Sequence, residues 1–227
     1  AYVDDPTVKL FMPWKVRLHS MLAFPRHYIL GNVYDPSGTF GWVVARTNII
    51  DSFVHKGLTM DGTTPSLIIL GAGFDTRPYR LDLGPSTPVF EVDTAPTQRA
   101  KRQILKEHGI DTSGVTFVEM DFNGDETFVT SLEKHGFQQS NRAVIIWEGV
   151  IPYLQEQAVN ATLEMVAGLA KGTILITTFV NEVPSSKEEL SRVYGGRIIL
   201  DKIAGLGEPS TFQMPKGKEE EFMQSFG

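Results

Sequence analysis

Between residues 66 and 180, short apolar runs alternate with longer segments whose apolar residues recur every three or four positions. Short runs are typical of buried strands, and the longer period is typical of amphipathic helices. The pattern predicts strands over Ser66–Leu70, Pro88–Asp93, Val115–Met120, Ala143–Trp147 and Thr173–Val180. It predicts helices over Thr94–Gly109, Asp125–Gly136 and Gln155–Ala170, and the start of another over Glu219–Ser225. This alternation indicates an α/β fold class with a Rossmann-like, doubly wound and mostly parallel sheet.

A further helix is predicted ahead of this sheet, over residues 38–56, with Gly57 as its end. Arg46 falls on the apolar face of that helix, between Ile50 and Phe53. Because an unpaired charge on a core-facing stripe is costly, we expect Arg46 to have a partner.

The chain of 227 residues is long enough for one domain. We expect residues 1–60 to form an N-terminal helical cover and residues 61–227 to form a Rossmann-like ligand-binding domain. Residues 1–37 are rich in proline and aromatic residues, and we expect one or two helices there. The two parts together are effectively one domain.

The composition excludes several classes of protein. The chain is 41% hydrophobic and 21% charged, as globular proteins are, and its formal net charge of −6 argues against a nucleic-acid partner. It has no cysteine and only five scattered histidines, so we predict no disulfide, no cysteine nucleophile and no metal site. No apolar run approaches the ~20 residues that span a membrane, and no signal peptide is evident, so we predict a cytoplasmic protein without a membrane partner.

Glycines and carboxylates follow the predicted strands, at the sheet edge where doubly wound folds bind ligands. The first strand leads into the glycine turn Gly71–Arg77, where glycines allow a close approach of the backbone to a ligand. Asp93 ends the second strand, 20 residues after Gly73, which is the spacing of acidic residues that bind ribose hydroxyls. Asp121 and Glu148 follow the third and fourth strands. The arrangement predicts a site for an adenosine ribose.

Asp75 decides which nucleotide suits this site. A dinucleotide places its anionic pyrophosphate on the glycine turn, where the carboxylate of Asp75 would repel it. The dinucleotide fingerprint also requires glycine or alanine where Thr76 stands. S-adenosylmethionine has no phosphate and carries a sulfonium and an ammonium group, so acidic residues favour it as the cofactor. An NAD-dependent oxidoreductase and a non-catalytic module that binds S-adenosylmethionine stay open as alternatives.

Each of these residues also has an interpretation without a ligand. The glycine turn alone is a common connection, and Asp93 could cap the helix that begins near Thr94. Glu91 alternates with Val92 and could be a solvated surface residue, and Asp121 could be an ordinary loop residue. The functional interpretation depends on the joint occurrence of these residues at successive strand ends.

Taken together, five segments resemble the leucine carboxyl methyltransferase family: Leu70 to Leu81 with its Gly-Ala-Gly-Phe-Asp-Thr-Arg string, Phe90-Glu91-Val92-Asp93, Asp121-Phe122, Trp147-Glu148-Gly149-Val150 and Tyr153-Leu154. The resemblance covers about residues 40–180. The family consists of S-adenosylmethionine-dependent O-methyltransferases that act on carboxyl groups of a protein C-terminus or of small molecules. Its class I methyltransferase sheet has seven strands, and we expect the last two to be missing from this chain.

The resemblance implies that S-adenosylmethionine is the cofactor and carries roles over residue by residue. Asp93 matches the ribose-binding aspartate, and Arg46 matches an arginine that pairs with the cofactor's carboxylate. The full predicted cofactor set is Arg46, Gly71, Gly73, Asp75, Asp93, Asp121, Phe122 and Glu148, with Asp121 and Phe122 beside the adenine.

The chain departs from the leucine-specific members at Gly149, where those enzymes have cysteine, and their N-terminal lysine has no clear match. A small-molecule acid is therefore the predicted acceptor, with a protein C-terminus as the alternative. A carboxylate acceptor has a pKa of about 4 and is ionised at neutral pH, so its methylation needs no general base. Arg77 and Tyr153 are candidates to orient the acceptor, and Glu148 is the candidate base if the acceptor is an alcohol.

Overall fold

The structure is a computed structural model that describes residues 5–12, 39–122, 124, 126–182 and 211–227. The chain divides into two compact units. One comprises Ala1–Ile50 and Val183–Pro209, and the other comprises Asp51–Glu182 and Ser210–Gly227. None of the helices within the described ranges is long and apolar enough to cross a membrane.

The described part of the first unit contains a short 3-10 helix, Val8–Phe11, and the beginning of helix α1 (Thr39–Thr59). The second unit contains the rest of α1 and the elements of the sheet. In chain order these are β1 (Ser66–Leu70), α2 (Arg77–Arg80), β2 (Val89–Asp93), α3 (Ala95–Glu107), β3 (Val115–Glu119), α4 (Phe128–Lys134), β4 (Ala143–Trp147), a 3-10 helix (Ile151–Tyr153), α5 (Glu156–Ala167), β5 (Ile174–Thr177) and α6 (Glu219–Gln224).

The five strands form one parallel sheet in the order β3-β2-β1-β4-β5. The chain adds strands outward from β1 to β3, then returns to the other side of β1 with β4 and β5. Strand order therefore reverses between β1 and β4, which is the place where such sheets bind ligands at their carboxyl ends. The predicted α/β fold class is confirmed, and all five predicted strands are present.

The sheet is buried on both faces, because the residues of β1 and β4 are all buried. On one face, Ile68, Ile145 and Trp147 belong to a core cluster that includes residues of α4 and α5. On the other face lies Gly57, where an added Cβ would meet Val144 Cγ2 at 2.9 Å. Burial on both faces explains why the strands are continuous apolar runs rather than alternating ones.

Three local predictions are wrong. Gly57 does not end α1, which continues to Thr59; its lack of a side chain instead allows the helix to lie close to Val144 of β4. The N-cap of α4 is Thr127, whose hydroxyl accepts a hydrogen bond from the Thr130 amide at 3.1 Å, whereas the predicted cap, Asp125, lies outside the described residues. The helix face assigned to Arg46 is not buried along its whole length: Ile50 is buried, but Phe53 is half-exposed.

Candidate functional site

The glycine turn after β1 is shaped by positive backbone dihedrals at Gly71 (φ 66°) and Gly73 (φ 42°). The amides of Gly71 and Ala72 both donate to the carbonyl of Val92, at 2.8 and 3.0 Å, which fixes the turn to the end of β2. A Cβ at Gly71 would lie only 2.2 Å from Val150 Cγ2, whereas one at Gly73 would have no atom closer than 3.9 Å. Gly71 therefore allows close packing with Val150, and Gly73 leaves open space beside the turn.

Asp93 joins the glycine turn to the start of α3. Its Oδ2 accepts a hydrogen bond from the Gly73 amide at 2.6 Å, and its Oδ1 accepts one from the Thr94 amide at 2.6 Å. A carboxylate has about four lone-pair positions, so these two bonds leave capacity for further donors. Asp93 thus holds the turn and can still accept hydrogen bonds from a ligand.

Arg77 lies at the centre of a cluster of carboxylates. Its Nη1 donates to Asp75 Oδ2 at 2.5 Å and to Glu148 Oε2 at 2.8 Å, and its Nε donates to Asp51 Oδ1 at 2.7 Å. Burial alone would lower the pKa of Arg77, but the charges of Asp75, Glu148 and Asp51 outweigh it and raise the pKa above the ordinary value. The guanidinium therefore stays charged, and it brings together the glycine turn, the end of β4 and helix α1.

Asp51 is a member of this cluster that the sequence analysis missed. Arg80 makes a bidentate contact with Asp51, with Nη1 2.6 Å from Oδ2 and Nη2 2.9 Å from Oδ1. Burial raises the pKa of Asp51, but the hydrogen bonds from Arg80 and Arg77, with their charges, bring it below the ordinary value. No local signal reveals this contact, because Asp51 lies 26 residues before Arg77 in the chain.

The remaining predicted site residues lie in different surroundings. Arg46 belongs to the first unit, where its guanidinium carbon lies 4.4 Å from the centre of the Trp42 ring. Asp121 is exposed after β3, while Phe122 is partly buried and packs against the core cluster. Tyr153 is 46% exposed. The prediction that Arg77 orients an acceptor is not supported, because this side chain is buried and paired with three carboxylates.

A cleft of about 460 Å³ lies beside the end of β3. Phe122, Phe128 and Met165 contribute apolar side chains to its lining, and Glu126 and Gln157 contribute polar ones. Phe122 therefore lies at a cleft that is lined by both apolar and polar side chains. Among the described residues, no group of three or more histidines, aspartates or glutamates could hold a metal ion.

A second buried charge network lies next to the site. Glu91, which the sequence left open as a solvated residue, is fully buried on β2, and its Oε2 lies 2.7 Å from Lys101 Nζ of α3. The Tyr79 hydroxyl donates to Glu91 Oε1 at 3.0 Å. Burial raises the pKa of Glu91 to about 6, although the charge of Lys101 lowers it. The network ties α2, which follows the glycine turn, to β2 and α3.

The raised pKa of Glu91 gives this network a pH dependence. Between pH 4.5, the ordinary pKa of the group, and pH 6, the folded protein binds more protons than the unfolded chain. The stability that Glu91 contributes is therefore greatest below pH 4.5, declines as the pH rises to 6 and is constant above. We expect the difference in unfolding free energy between wild type and Glu91→Gln to shrink by about 1–2 kcal/mol from pH 4.5 to pH 7.

Urea unfolding at a series of pH values measures this difference. Val118→Ala, at a fully buried position of the neighbouring strand, is the control: it lowers stability without removing an ionisable group, so its difference from wild type should stay constant. A Glu91→Gln difference that is constant or that grows with pH would contradict the prediction.

Comparisons with known proteins show which family this chain resembles. A family model described as leucine carboxyl methyltransferase matches residues 1–167. Over 222 residues the chain is 28% identical to a protein of Mycolicibacterium gilvum that is provisionally named an S-adenosyl-L-methionine-dependent methyltransferase, covering 92% of this chain and 72% of that protein. A protein of Mycobacteroides abscessus with the same provisional name is 32% identical over 126 residues, or 56% of this chain. This chain spans only 41% of the length of that second relative.

Solved structures with low sequence identity share the fold. A DUF574 family protein from Streptomyces avermitilis matches 92% of this chain and 81% of its own, with a TM-score of 0.62 and 15% identity. An O-methyltransferase family protein from Burkholderia thailandensis matches 96% of this chain and 63% of its own, with a TM-score of 0.51 and 14% identity. At such identities the similarity concerns the fold alone, and it agrees with the Rossmann-like sheet.

Proposed function

Because the chain belongs to the leucine carboxyl methyltransferase family, we propose that it binds S-adenosylmethionine and forms a methyl ester on a carboxylate of a small molecule. The observation that carries this proposal is the position of Asp75, Asp93 and Glu148. Asp75 lies in the glycine turn and is held with Glu148 by one guanidinium, and Asp93 accepts a hydrogen bond from Gly73 of the same turn. This is an acidic site at the carboxyl end of a parallel sheet.

The residues present fit this cofactor. Asp93 offers a carboxylate for ribose hydroxyls, and the space beside Gly73 admits a ligand close to the backbone. The pairing of Asp75 and Glu148 provides negative charge suited to a ligand with a sulfonium and an ammonium group, and unsuited to a pyrophosphate. Phe122 offers an apolar surface for an adenine ring, and Arg46 is the proposed partner of the cofactor's carboxylate.

When bound, S-adenosylmethionine supplies an electrophilic methyl group for an in-line displacement. The contribution of the protein is to hold the two reactants at attack distance and to exclude water. A carboxylate acceptor is ionised at neutral pH, so no side chain has to remove a proton from it. This agrees with the position of Glu148, whose carboxylate accepts a hydrogen bond from the guanidinium of Arg77.

The region next to Glu148 is the proposed place of the acceptor. Gly149 has a positive φ of 70°, and an added Cβ there would have no atom within 4 Å. Tyr153 follows in the 3-10 helix and exposes about half of its surface, so its ring and hydroxyl are available to contact an acceptor. A small acid is the proposed acceptor, and a protein C-terminus is the alternative.

We expect the chain to bind S-adenosylmethionine in calorimetric titration and to transfer a tritiated methyl group to acids. The label should enter members of a panel of small carboxylic acids, or a component of cell extract, and should be released by mild base because it is held as an ester. The matching amides are the control and should stay unlabelled.

Three other results would overturn the proposal. Binding of NAD without binding of S-adenosylmethionine would indicate an oxidoreductase. Binding of S-adenosylmethionine without transfer to any acid, protein or extract component would indicate a non-catalytic module. Label that is stable to base would indicate an acceptor other than a carboxylate.

A further inference from the structure

We infer that Arg77 is a positioning residue of the proposed cofactor site: its guanidinium holds the carboxylates of Asp75 and Glu148 side by side. The inference rests on the proposed function, since it assigns the pair a role in binding a cationic cofactor. Arg77 acts through these two carboxylates and is not proposed to touch the ligand, because it is only 3% exposed.

The geometry places both carboxylates on the same nitrogen. Nη1 of Arg77 contacts Asp75 Oδ2 and Glu148 Oε2, so the two oxygens are neighbours although the residues lie 73 positions apart in the chain. Asp75 is further fixed because its Oδ1 accepts a hydrogen bond from the Arg77 amide at 2.8 Å. A pair of carboxylates this close would repel each other without the guanidinium between them.

Arg77 is itself held from the other side. Its Nε contacts Asp51, and Asp51 is bound at both oxygens by Arg80, whose Nε also donates to Thr76 Oγ1 at 3.2 Å. Among the described residues of this cluster, three carboxylates face two guanidiniums, which leaves one negative charge in excess. This excess suits a cationic ligand. The contact with Asp51 keeps the Arg77 side chain in place even if Asp75 or Glu148 moves.

A lysine at position 77 could not make the three contacts of Arg77. An arginine presents its donors in a rigid planar fork, whereas a lysine is a single point charge. Arg77 uses two of its nitrogens to reach three carboxylates on three separate elements of the fold. A lysine at this position would supply the charge but could not contact all three partners at once.

Removing the guanidinium should make cofactor binding depend on pH. Without Arg77, the neighbouring carboxylates of Asp75 and Glu148 repel each other, and uptake of a proton by the pair as the pH falls relieves this repulsion. Among the described residues, the charged groups that join Arg77 and this pair in the cluster are Asp51 of α1 and Arg80 of α2. The charge of Asp75 also reaches Glu91 and Tyr79, since it contributes to the raised pKa of both.

The test measures the affinity of the full chain for S-adenosylmethionine and S-adenosylhomocysteine by calorimetry between pH 5.5 and 8. We expect wild-type affinity to change little over this range. For Arg77→Met we expect affinity at least tenfold weaker at pH 7, with a further loss as the pH falls, because protonation removes the negative charge that attracts the ligand. Arg77→Lys should recover part of the affinity and lose most of the pH dependence.

Arg142→Met is the matched control. Arg142 is also a buried arginine with several partners, the Gly57 carbonyl at 3.0 Å and Asp61 at 2.9 Å among them, but it precedes β4 and so lies at the opposite end of that strand from Glu148. Its removal should lower the thermal midpoint without changing ligand affinity or its pH profile.

Circular dichroism confirms that each variant is folded, and Arg77→Gln, which removes the charge but keeps hydrogen-bond donors, is the second variant if Arg77→Met does not fold.

The outcomes separate this inference from the proposed function. If the wild type binds neither ligand, the proposed function fails. If the wild type binds and Arg77→Met, or Arg77→Gln in its place, loses affinity by the same factor at every pH, the role of the cluster is structural and the inference is overturned. Unchanged affinity in these variants would overturn it as well.

Discussion

Replacing Gly71 by alanine is expected to lower the unfolding free energy by about 3 kcal/mol or more. Gly71 has a φ of 66°, and an alanine in this left-handed region costs about 1–2 kcal/mol. The new Cβ would lie 2.2 Å from Val150 Cγ2, far inside the contact distance of two carbon atoms, and relieving such overpacking costs about 1–3 kcal/mol. The total free energy of unfolding of a native protein is only about 5–15 kcal/mol, so urea unfolding should show a clear destabilisation of this variant.

Gly109→Ala is the control for this experiment. Gly109 has nearly the same dihedral, a φ of 67°, but an added Cβ there would have no atom within 4 Å. It should therefore show only the backbone cost, about 1–2 kcal/mol. Combining Gly71→Ala with Val150→Ala should recover part of the loss, because it removes the methyl group that the new side chain meets. Equal losses in the two glycine variants would show that the contact with Val150 is unimportant.

The sheet was predictable because the signal for a buried strand is local. The apolar runs at Ser66–Leu70 and Ala143–Trp147 coincide with β1 and β4 residue for residue, since each run is buried on both faces. The least accurate limits belong to β5, where the apolar run extends to Val180 but the strand ends at Thr177. The limits of the helices also depend on tertiary contacts: α1 continues past Gly57 because that glycine packs against β4.

The acidic character of the site was predictable, but its internal pairing was not. The spacing from Gly73 to Asp93 placed both residues in one predicted ribose site. In the structure the amide of Gly73 donates a hydrogen bond to Asp93. The two distant partners of Arg77 lie on α1 and directly after β4, and nothing in a single sequence indicates which of several carboxylates a given arginine contacts. The same holds for Glu91, whose burial depends on Lys101 ten residues later, on a helix that packs against its strand.

This pairing changes how the carboxylates of the site are understood. A sequence with four acidic residues at strand ends suggests four similar groups, but the structure places them in three different settings. Asp93 is held by backbone amides, Asp75 and Glu148 share a buried arginine, and Asp121 is exposed. Substitutions at these positions should therefore have different effects, and the largest effect on cofactor binding is expected at Asp93.

Replacing Asp93 by alanine is expected to weaken the binding of S-adenosylmethionine at least 100-fold. In the proposed site the carboxylate accepts hydrogen bonds from ribose hydroxyls, and bonds to a charged group contribute about 1.5–3 kcal/mol each. The substitution also removes the acceptor of the Gly73 amide, so the glycine turn loses one of its attachments. Two such bonds correspond to a loss of about 100-fold or more in the dissociation constant, which calorimetric titration measures directly.

Asp93→Asn separates the two contributions, because the amide oxygen can still accept a bond from Gly73 or Thr94 while the charge is lost. We expect this variant to retain most of the wild-type thermal stability and to bind S-adenosylmethionine at least tenfold more weakly. The control is Asp82→Asn, at an exposed aspartate that likewise accepts a bond from a glycine amide, that of Gly84 at 3.2 Å, but lies outside the site. Its affinity should match the wild type. If Asp93→Ala keeps wild-type affinity while remaining folded, the assignment of the ribose site is wrong.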